Sequence, residues 1–330
     1  MNIKLLLLIV LILNLTYANA ESVKDFGSNP GNVNMYTYVP ENMPANAPLV
    51  VSLHGCFQDA ETYNKVGWKT LADTWKFYLI FPEQKRSNNL YKCWNWFQAE
   101  NIKRGQGESK SIVQMIEKMI ADYSIDNSRI YVEGLSAGAY MTSALLASYP
   151  DVFAGGATNA GGPALCAKTE KHFWDIFSWW YLKQSFSDAK ACMNGIDKSP
   201  EEWGELVHNE GYEDFNGPWP TISIWHGAAD ETVDKINQQE LIDQWTYLHG
   251  IDQIADKKGK SGKTINVIHE EFHDNNGKLL IETYLVPEMS HGIAVDTNAG
   301  CGETDKYILD AGICAVRQIG LFWKLNTAQQ

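Results

Sequence analysis

The chain has 330 residues, 45% hydrophobic and 20% charged, the balance of an ordinary globular protein, which sets aside disorder, collagen and low-complexity repeats. Lys+Arg 27 against Asp+Glu 40 leaves a formal net charge of -13, which repels phosphate backbones and anionic lipid surfaces and argues against a nucleic-acid partner. A single α/β domain reaches this length, although size alone also permits two.

Residues 1–20 read as an address. Met1 and the lone cation Lys4 precede the apolar run 5–13, and Ala18-Asn19-Ala20 supplies the small-x-small pattern of a signal-peptidase site before Glu21. The run is shorter than the roughly 20 apolar residues that span a bilayer, which argues against the alternative of an uncleaved anchor. The expected mature protein is residues 21–330, one soluble domain with no membrane span.

Four short apolar runs, 49–53, 78–81, 130–132 and 222–225, read as buried strands of a parallel sheet. Between the second and third, Ile112, Met115, Ile116, Met119, Ile120 and Tyr123 fall on one stripe of a helix, with Gln114, Glu117, Lys118 and Asp122 elsewhere. A further helix is expected after Ser136, ending before Pro150. Residues 163–217 break the alternation. They carry the aromatic run Phe173, Trp174, Phe177, Trp179, Trp180 and Tyr181 without a clear strand, so the segment is an insertion, either a lid or a satellite core. Near the end, 264–272 and 278–286 flank Asn275-Asn276-Gly277, a hairpin signal. Strands alternating with helices predict an α/β fold whose mostly parallel sheet is flanked by helices and places ligands beyond the carboxyl ends of its strands.

Export to an oxidising compartment makes the six cysteines candidates for disulfides. Cys56, Cys93, Cys166, Cys192, Cys301 and Cys314 include no Cys-x-x-Cys pair, which argues against a zinc ribbon or a redox motif. Sequence leaves the connectivity open. Nearest-neighbour pairing gives Cys56 with Cys93, Cys166 with Cys192 and Cys301 with Cys314, the alternative for any pair being buried free thiols.

Gly134-Leu135-Ser136-Ala137-Gly138 follows a strand and precedes a helix, the setting of a nucleophile elbow, where the turn is too tight for bulky neighbours. A serine hydroxyl needs a base within hydrogen-bond reach, usually a histidine held by a carboxylate. In the chain order serine, acid, histidine, Asp230 lies just beyond the strand 222–225 and His291 just after the strand that ends at Val286. Glu231 and Asp234 are rivals for the acid. The oxyanion needs backbone donors, for which Ala137 after the serine and Cys56 in His54-Gly55-Cys56 after an earlier strand are the candidates. His269-Glu270-Glu271-Phe272-His273 matches a zinc-protease pattern, but in a strand at about 3.3 Å per residue the histidines stand roughly 13 Å apart, too far to share a metal. No metal site is expected.

Leu53-His54-Gly55-Cys56, Cys93-Trp94-Asn95-Trp96-Phe97, the serine pentapeptide, His226-Gly227-Ala228-Ala229-Asp230, Ser290-His291-Gly292 and the stretch 307–314 together resemble the extracellular poly(3-hydroxybutyrate) depolymerases and the related feruloyl and acetylxylan esterases. The matching blocks run from about residue 49 to 315. The resemblance implies an α/β-hydrolase with Ser136, Asp230 and His291 as catalytic triad and Cys56 and Ala137 as oxyanion donors. It also places Trp94, Asn95 and Trp96 beside the substrate, the alternative for the tryptophans being core packing. The expected reaction is hydrolysis of polyhydroxybutyrate, hydroxyalkanoate oligomers or small esters without a cofactor, with a plant-polysaccharide esterase as alternative. The chain stops within a few residues of the catalytic end, where depolymerases of solid polyester usually continue into a binding module. Amorphous polymer or soluble oligomers are therefore the expected substrates.

Overall fold

The computed structural model describes residues 20–170, 179–213, 215–262 and 266–327. Residues 1–19 of the expected signal segment, residues Phe173, Trp174 and Phe177, the side chains of Trp179 and Trp180, and Thr264 at the start of the expected hairpin lie outside the described residues.

One ten-stranded sheet organises the molecule. In chain order its strands are β1 (Glu21–Val23), β2 (Asn34–Tyr38), β3 (Ala47–Leu53), β4 (Tyr78–Glu83), β5 (Ile125–Leu135), β6 (Gly155–Asn159), β7 (Thr221–Gly227), β8 (Lys257–Ser261), β9 (Val267–His273) and β10 (Leu279–Val286). They lie side by side as β1-β2-β4-β3-β5-β6-β7-β10-β9-β8. Pairing is parallel from β4 through β10 and antiparallel at both margins. The four expected strands are the cores of β3, β4, β5 and β7, and each is buried on both faces because helices cover both sides of the sheet. A two-stranded parallel sheet, β11 (Ile293–Val295) with β12 (Ile308–Asp310), closes the C-terminal end.

The helices are α1 (Ala60–Tyr63), α2 (Trp68–Trp75), α3 (Ala99–Ile102), α4 (Gly107–Asp122), α5 (Ala137–Ser148), α6 (Trp179–Met193), α7 (Pro200–Glu210), α8 (Ile236–His249) and α9 (Ala315–Phe322). In α4 the stripe Ile112, Met115, Ile116 and Met119 faces the core as its spacing predicts, whereas Tyr123 falls just past the helix end and is partly exposed. Helix α5 is buried on every side, so its sequence is apolar or small all round and has no polar face. Its close seat on the sheet needs glycine beneath it: a Cβ on Gly156 would stand 2.5 Å from Leu146 Cδ1. That requirement makes β6 a run of small and polar residues that no apolar pattern reveals.

Among its described residues the expected insertion supplies two helices, α6 and α7. Ser199 caps α7 with a capping box, with Pro200 opening the helix, and α7 packs against α8. The three disulfides join Cys56 to Cys93, Cys166 to Cys192 and Cys301 to Cys314. The hairpin turn falls at Asn275-Asn276-Gly277, with Gly277 at φ 79°, but β9 also pairs with β8 on its far edge, which the sequence reading leaves out.

Candidate active site

Ser136 occupies the sharp turn between β5 and α5 with φ 56° and ψ -119°, a strained conformation for a residue with a Cβ. The flanking glycines are obligatory: a Cβ on Gly134 would stand 2.4 Å from the Gly138 backbone, and one on Gly138 would stand 2.2 Å from the Leu53 carbonyl oxygen. The turn is tied to the next strand, since Ser136 N–H donates to the Asn159 carbonyl at 2.9 Å. Asn159 Nδ2 in turn donates to Glu133 Oε2 and to the Gly134 carbonyl, both at 3.2 Å.

His291 Nε2 lies 2.9 Å from Ser136 Oγ, and His291 Nδ1 lies 2.7 Å from Asp230 Oδ2. Asp230 comes from the loop after β7 and His291 from the loop after β10, and these parallel neighbours bring the loops together at one rim. The two loops are laced by Ala228 N–H to the Val286 carbonyl and Ala229 N–H to that of Met289, and a Cβ on Gly227 would meet Met289 O at 2.2 Å. Asp230 Oδ1 accepts from the amides of Thr232 and Val233 at 2.8 and 2.9 Å. Burial pushes the Asp230 carboxyl up, but the His291 hydrogen bond and the two amides outweigh it and hold the group below the usual carboxylate range. Of the rivals, Asp234 Oδ1 is spent on the Ile236 amide, and Glu231 is exposed.

The loop after β3 is fixed from several sides. His54 is fully buried, and burial lowers its imidazole to about 4, so the ring is neutral. The Gln84 amide donates to His54 Nε2 at 3.0 Å, which leaves Nδ1–H to donate to the Gly55 carbonyl at 2.7 Å. Gly55 N–H donates to Gln58 Oε1, Trp94 Nε1–H to the His54 carbonyl, and Cys56 is bonded to Cys93. Ala137 is the first residue of α5, so its N–H has no intrahelical partner. Cys56 and Ser136 line the same cavity.

That cavity measures about 330 Å³ and is walled by Trp96, Phe97, Phe186, Met193 and Tyr307 around Ser136 and His291. Of the three residues expected beside the substrate, only Trp96 lines it, its ring stacked on Tyr140 at 3.9 Å between centroids. Trp94 and Asn95 do not line it. Trp94 is buried behind the wall on the His54 carbonyl, and Asn95 is turned inward to Glu108, whose carboxylate accepts from its Nδ2 and its amide. Residues that sequence reasoning missed include Phe186, Ala189, Lys190 and Met193, which line the cavity from α6. Their i, i+3, i+4, i+7 spacing was the available signal. His226 was also missed as a neighbour of the acid: its Nε2 stands 3.5 Å from Asp230 Oδ2 and 3.0 Å from the Val233 carbonyl.

His269 and His273 both lie on β9 in separate settings. His269 stacks on Tyr284, and His273 stands between Asp256 and Glu271. Among the described residues no group of three or more His, Cys, Asp or Glu is placed to hold a metal ion.

A parallel sheet flanked by helices, with a serine at the β5–α5 turn and an acid and a histidine on later strand ends, defines an α/β-hydrolase. An acetyl xylan esterase from Aspergillus awamori shares the fold with a TM-score of 0.75 at 24% identity, over 93% of this chain and all of that one. Residues 34–170 match the family model described as esterase PHB depolymerase. Poly(3-hydroxyalkanoate) depolymerase C of Paucimonas lemoignei is 48% identical over 305 residues, 91% of this chain and 69% of the relative. Feruloyl esterase B of Neurospora crassa is 35% identical over 71% of this chain and 76% of the relative, and acetylxylan esterase A of Emericella nidulans is 34% identical over 71% and 73%. The chain belongs to the PHB depolymerase family of esterases and is a carboxylic ester hydrolase.

Proposed function

We propose that this protein is an exported serine esterase that hydrolyses polyhydroxybutyrate or hydroxyalkanoate oligomers through an acyl-enzyme. The carrying observation is the continuous chain from Ser136 Oγ through His291 to Asp230 at 2.9 and 2.7 Å on the wall of an apolar cavity. Ser136 Oγ attacks the ester carbonyl while His291 Nε2 takes its proton, and Asp230 holds Nδ1–H so that the other nitrogen stays basic. The oxyanion accepts from the amides of Cys56 and Ala137. Collapse breaks the ester C–O bond, His291 returns the proton to the leaving alcohol, and water then repeats the sequence on the acyl-enzyme. The depolymerase relative at 48% identity supports the substrate class. Three disulfides support export, and among the described residues no helix is long and apolar enough to cross a membrane.

A second reading, a feruloyl or acetylxylan esterase, is favoured by the aromatic walls Trp96, Phe97, Phe186 and Tyr307, which suit a planar acyl group. The test is release of 3-hydroxybutyrate from amorphous polyhydroxybutyrate by residues 21–330, with feruloylated and acetylated xylan in parallel. Hydroxybutyrate release with xylan untouched is the expected result, and cleavage of xylan esters alone overturns the substrate assignment. Ser136→Ala should lower kcat by at least about 10⁴-fold with the fold retained, and substantial residual turnover overturns the mechanism.

A further inference from the structure

Among the residues lining the catalytic cavity, one carries a cationic side chain, Lys190 on α6. A second cation stands at the same wall. The Lys306 ammonium lies 4.6 Å from the centroid of Phe57 and 5.0 Å from that of Tyr307, and both rings line the cavity. Lys306 is held in register with the loop after β3, because its carbonyl accepts from Gln58 Nε2 at 2.9 Å while Gln58 Oε1 accepts from Gly55 N–H. Neighbouring lysines are neutralised: Lys65 pairs with Asp305 and Lys92 with Asp59. Among the described residues neither Lys190 nor Lys306 has a carboxylate partner. In a chain with 40 acidic and 27 basic residues, these are two cations without a carboxylate partner among the described residues, one lining an apolar cavity and one over two rings of its wall, where low-dielectric surroundings strengthen their field.

We propose that Lys190 and Lys306 form a carboxylate subsite that directs the enzyme to soluble oligoesters with a free carboxyl end, cleaved from that end. The inference rests on the hydroxyalkanoate reading above. An oligomer of a hydroxy acid has a neutral backbone and a carboxylate at one terminus. With the last ester carbonyl at Ser136, that carboxylate belongs to the leaving alcohol. As the Ser136 Oγ–acyl bond forms and the ester C–O bond breaks, His291 protonates the departing alkoxide, and the product leaves as a hydroxy-acid anion from between the two ammonium groups. Lysine suits this role because a compact charge on a flexible stem follows a carboxylate without fixing its plane.

The test compares kcat/KM for the 3-hydroxybutyrate trimer as free acid and as methyl ester. The acid should be preferred by about tenfold at low salt, and the preference should shrink as ionic strength rises. Lys190→Gln with Lys306→Gln should bring the ratio to near one, and Lys190→Arg with Lys306→Arg should restore most of it. Equal cleavage of acid and methyl ester by the wild type, or a preference that survives the double glutamine variant, overturns the subsite while the depolymerase reading stands. If neither trimer is cleaved while acetylated xylan is, the depolymerase reading falls and the subsite falls with it.

Discussion

Glu133 is buried one residue before the Gly134–Gly138 turn, where its carboxylate accepts from Ser52 Oγ at 2.6 Å, Trp68 Nε1 at 2.9 Å, Tyr63 OH at 3.0 Å and Asn159 Nδ2 at 3.2 Å. Burial raises this group from 4.5 to about 7 in spite of those donors. A carboxyl raised on folding binds its proton more tightly in the native state, so its contribution to stability is fully present below pH 4.5 and is lost as pH rises through 7. The shift corresponds to about 3 kcal/mol. The neutral amide of Glu133→Gln does not titrate. The stability of wild type minus variant, from urea denaturation, should therefore fall by roughly 2–3 kcal/mol between pH 4.5 and pH 8. A difference that stays constant with pH would mean that the carboxyl remains ionised throughout. Because Asn159 links Glu133 to the Ser136 amide, the variant reports on the seat of the serine as well.

At the scale of elements, the carriers of the site were legible where one physical requirement acts on one short stretch. The elbow demands small residues at 134 and 138, and the buried strands β3, β5 and β7 demand apolar runs, so Ser136 and Asp230 could be placed at strand ends. Strand β6 was not legible, because its residues answer to the helix above it and not to a pattern of their own. Gly156→Val tests that account. The new side chain must displace Leu146, which should cost about 1–3 kcal/mol in urea denaturation and, by lifting α5, lower kcat more than it raises KM. An unchanged denaturation midpoint would show that the helix has room to spare. Trp94 and Asn95 stand away from the cavity for a related reason. In the run 93–97 only Trp96 among the three turns to the cavity, and the direction each side chain takes is decided by His54 and Glu108, distant in sequence. Lys190 lines the cavity and Lys306 lies over two rings of its wall only through the tertiary fold, and no local pattern pairs them.

Across the whole molecule the three disulfides share a placement. Each one fastens an excursion that walls the cavity: Cys56–Cys93 holds the loop after β3, Cys166–Cys192 anchors α6, and Cys301–Cys314 closes the segment that carries Lys306 and Tyr307. The sheet beneath carries no cross-link of its own and rests on strands buried on both faces. Closing loops with sequence separations of 37, 26 and 13 residues corresponds to about 3–4 kcal/mol each in the chain-entropy model. Reduction should accordingly loosen the walls before it dissolves the sheet. Under mild dithiothreitol, esterase activity should fall while far-UV circular dichroism holds, and amide exchange should rise first in segments 88–97, 179–200 and 296–314. Activity lost only together with the circular dichroism signal would mean that walls and sheet form one cooperative unit. The expected order follows from the division of labour in the fold: the sheet positions Ser136, Asp230 and His291 through buried apolar area. The walls of the cavity are loops and one inserted helix, and each is fastened by one of the three covalent ties.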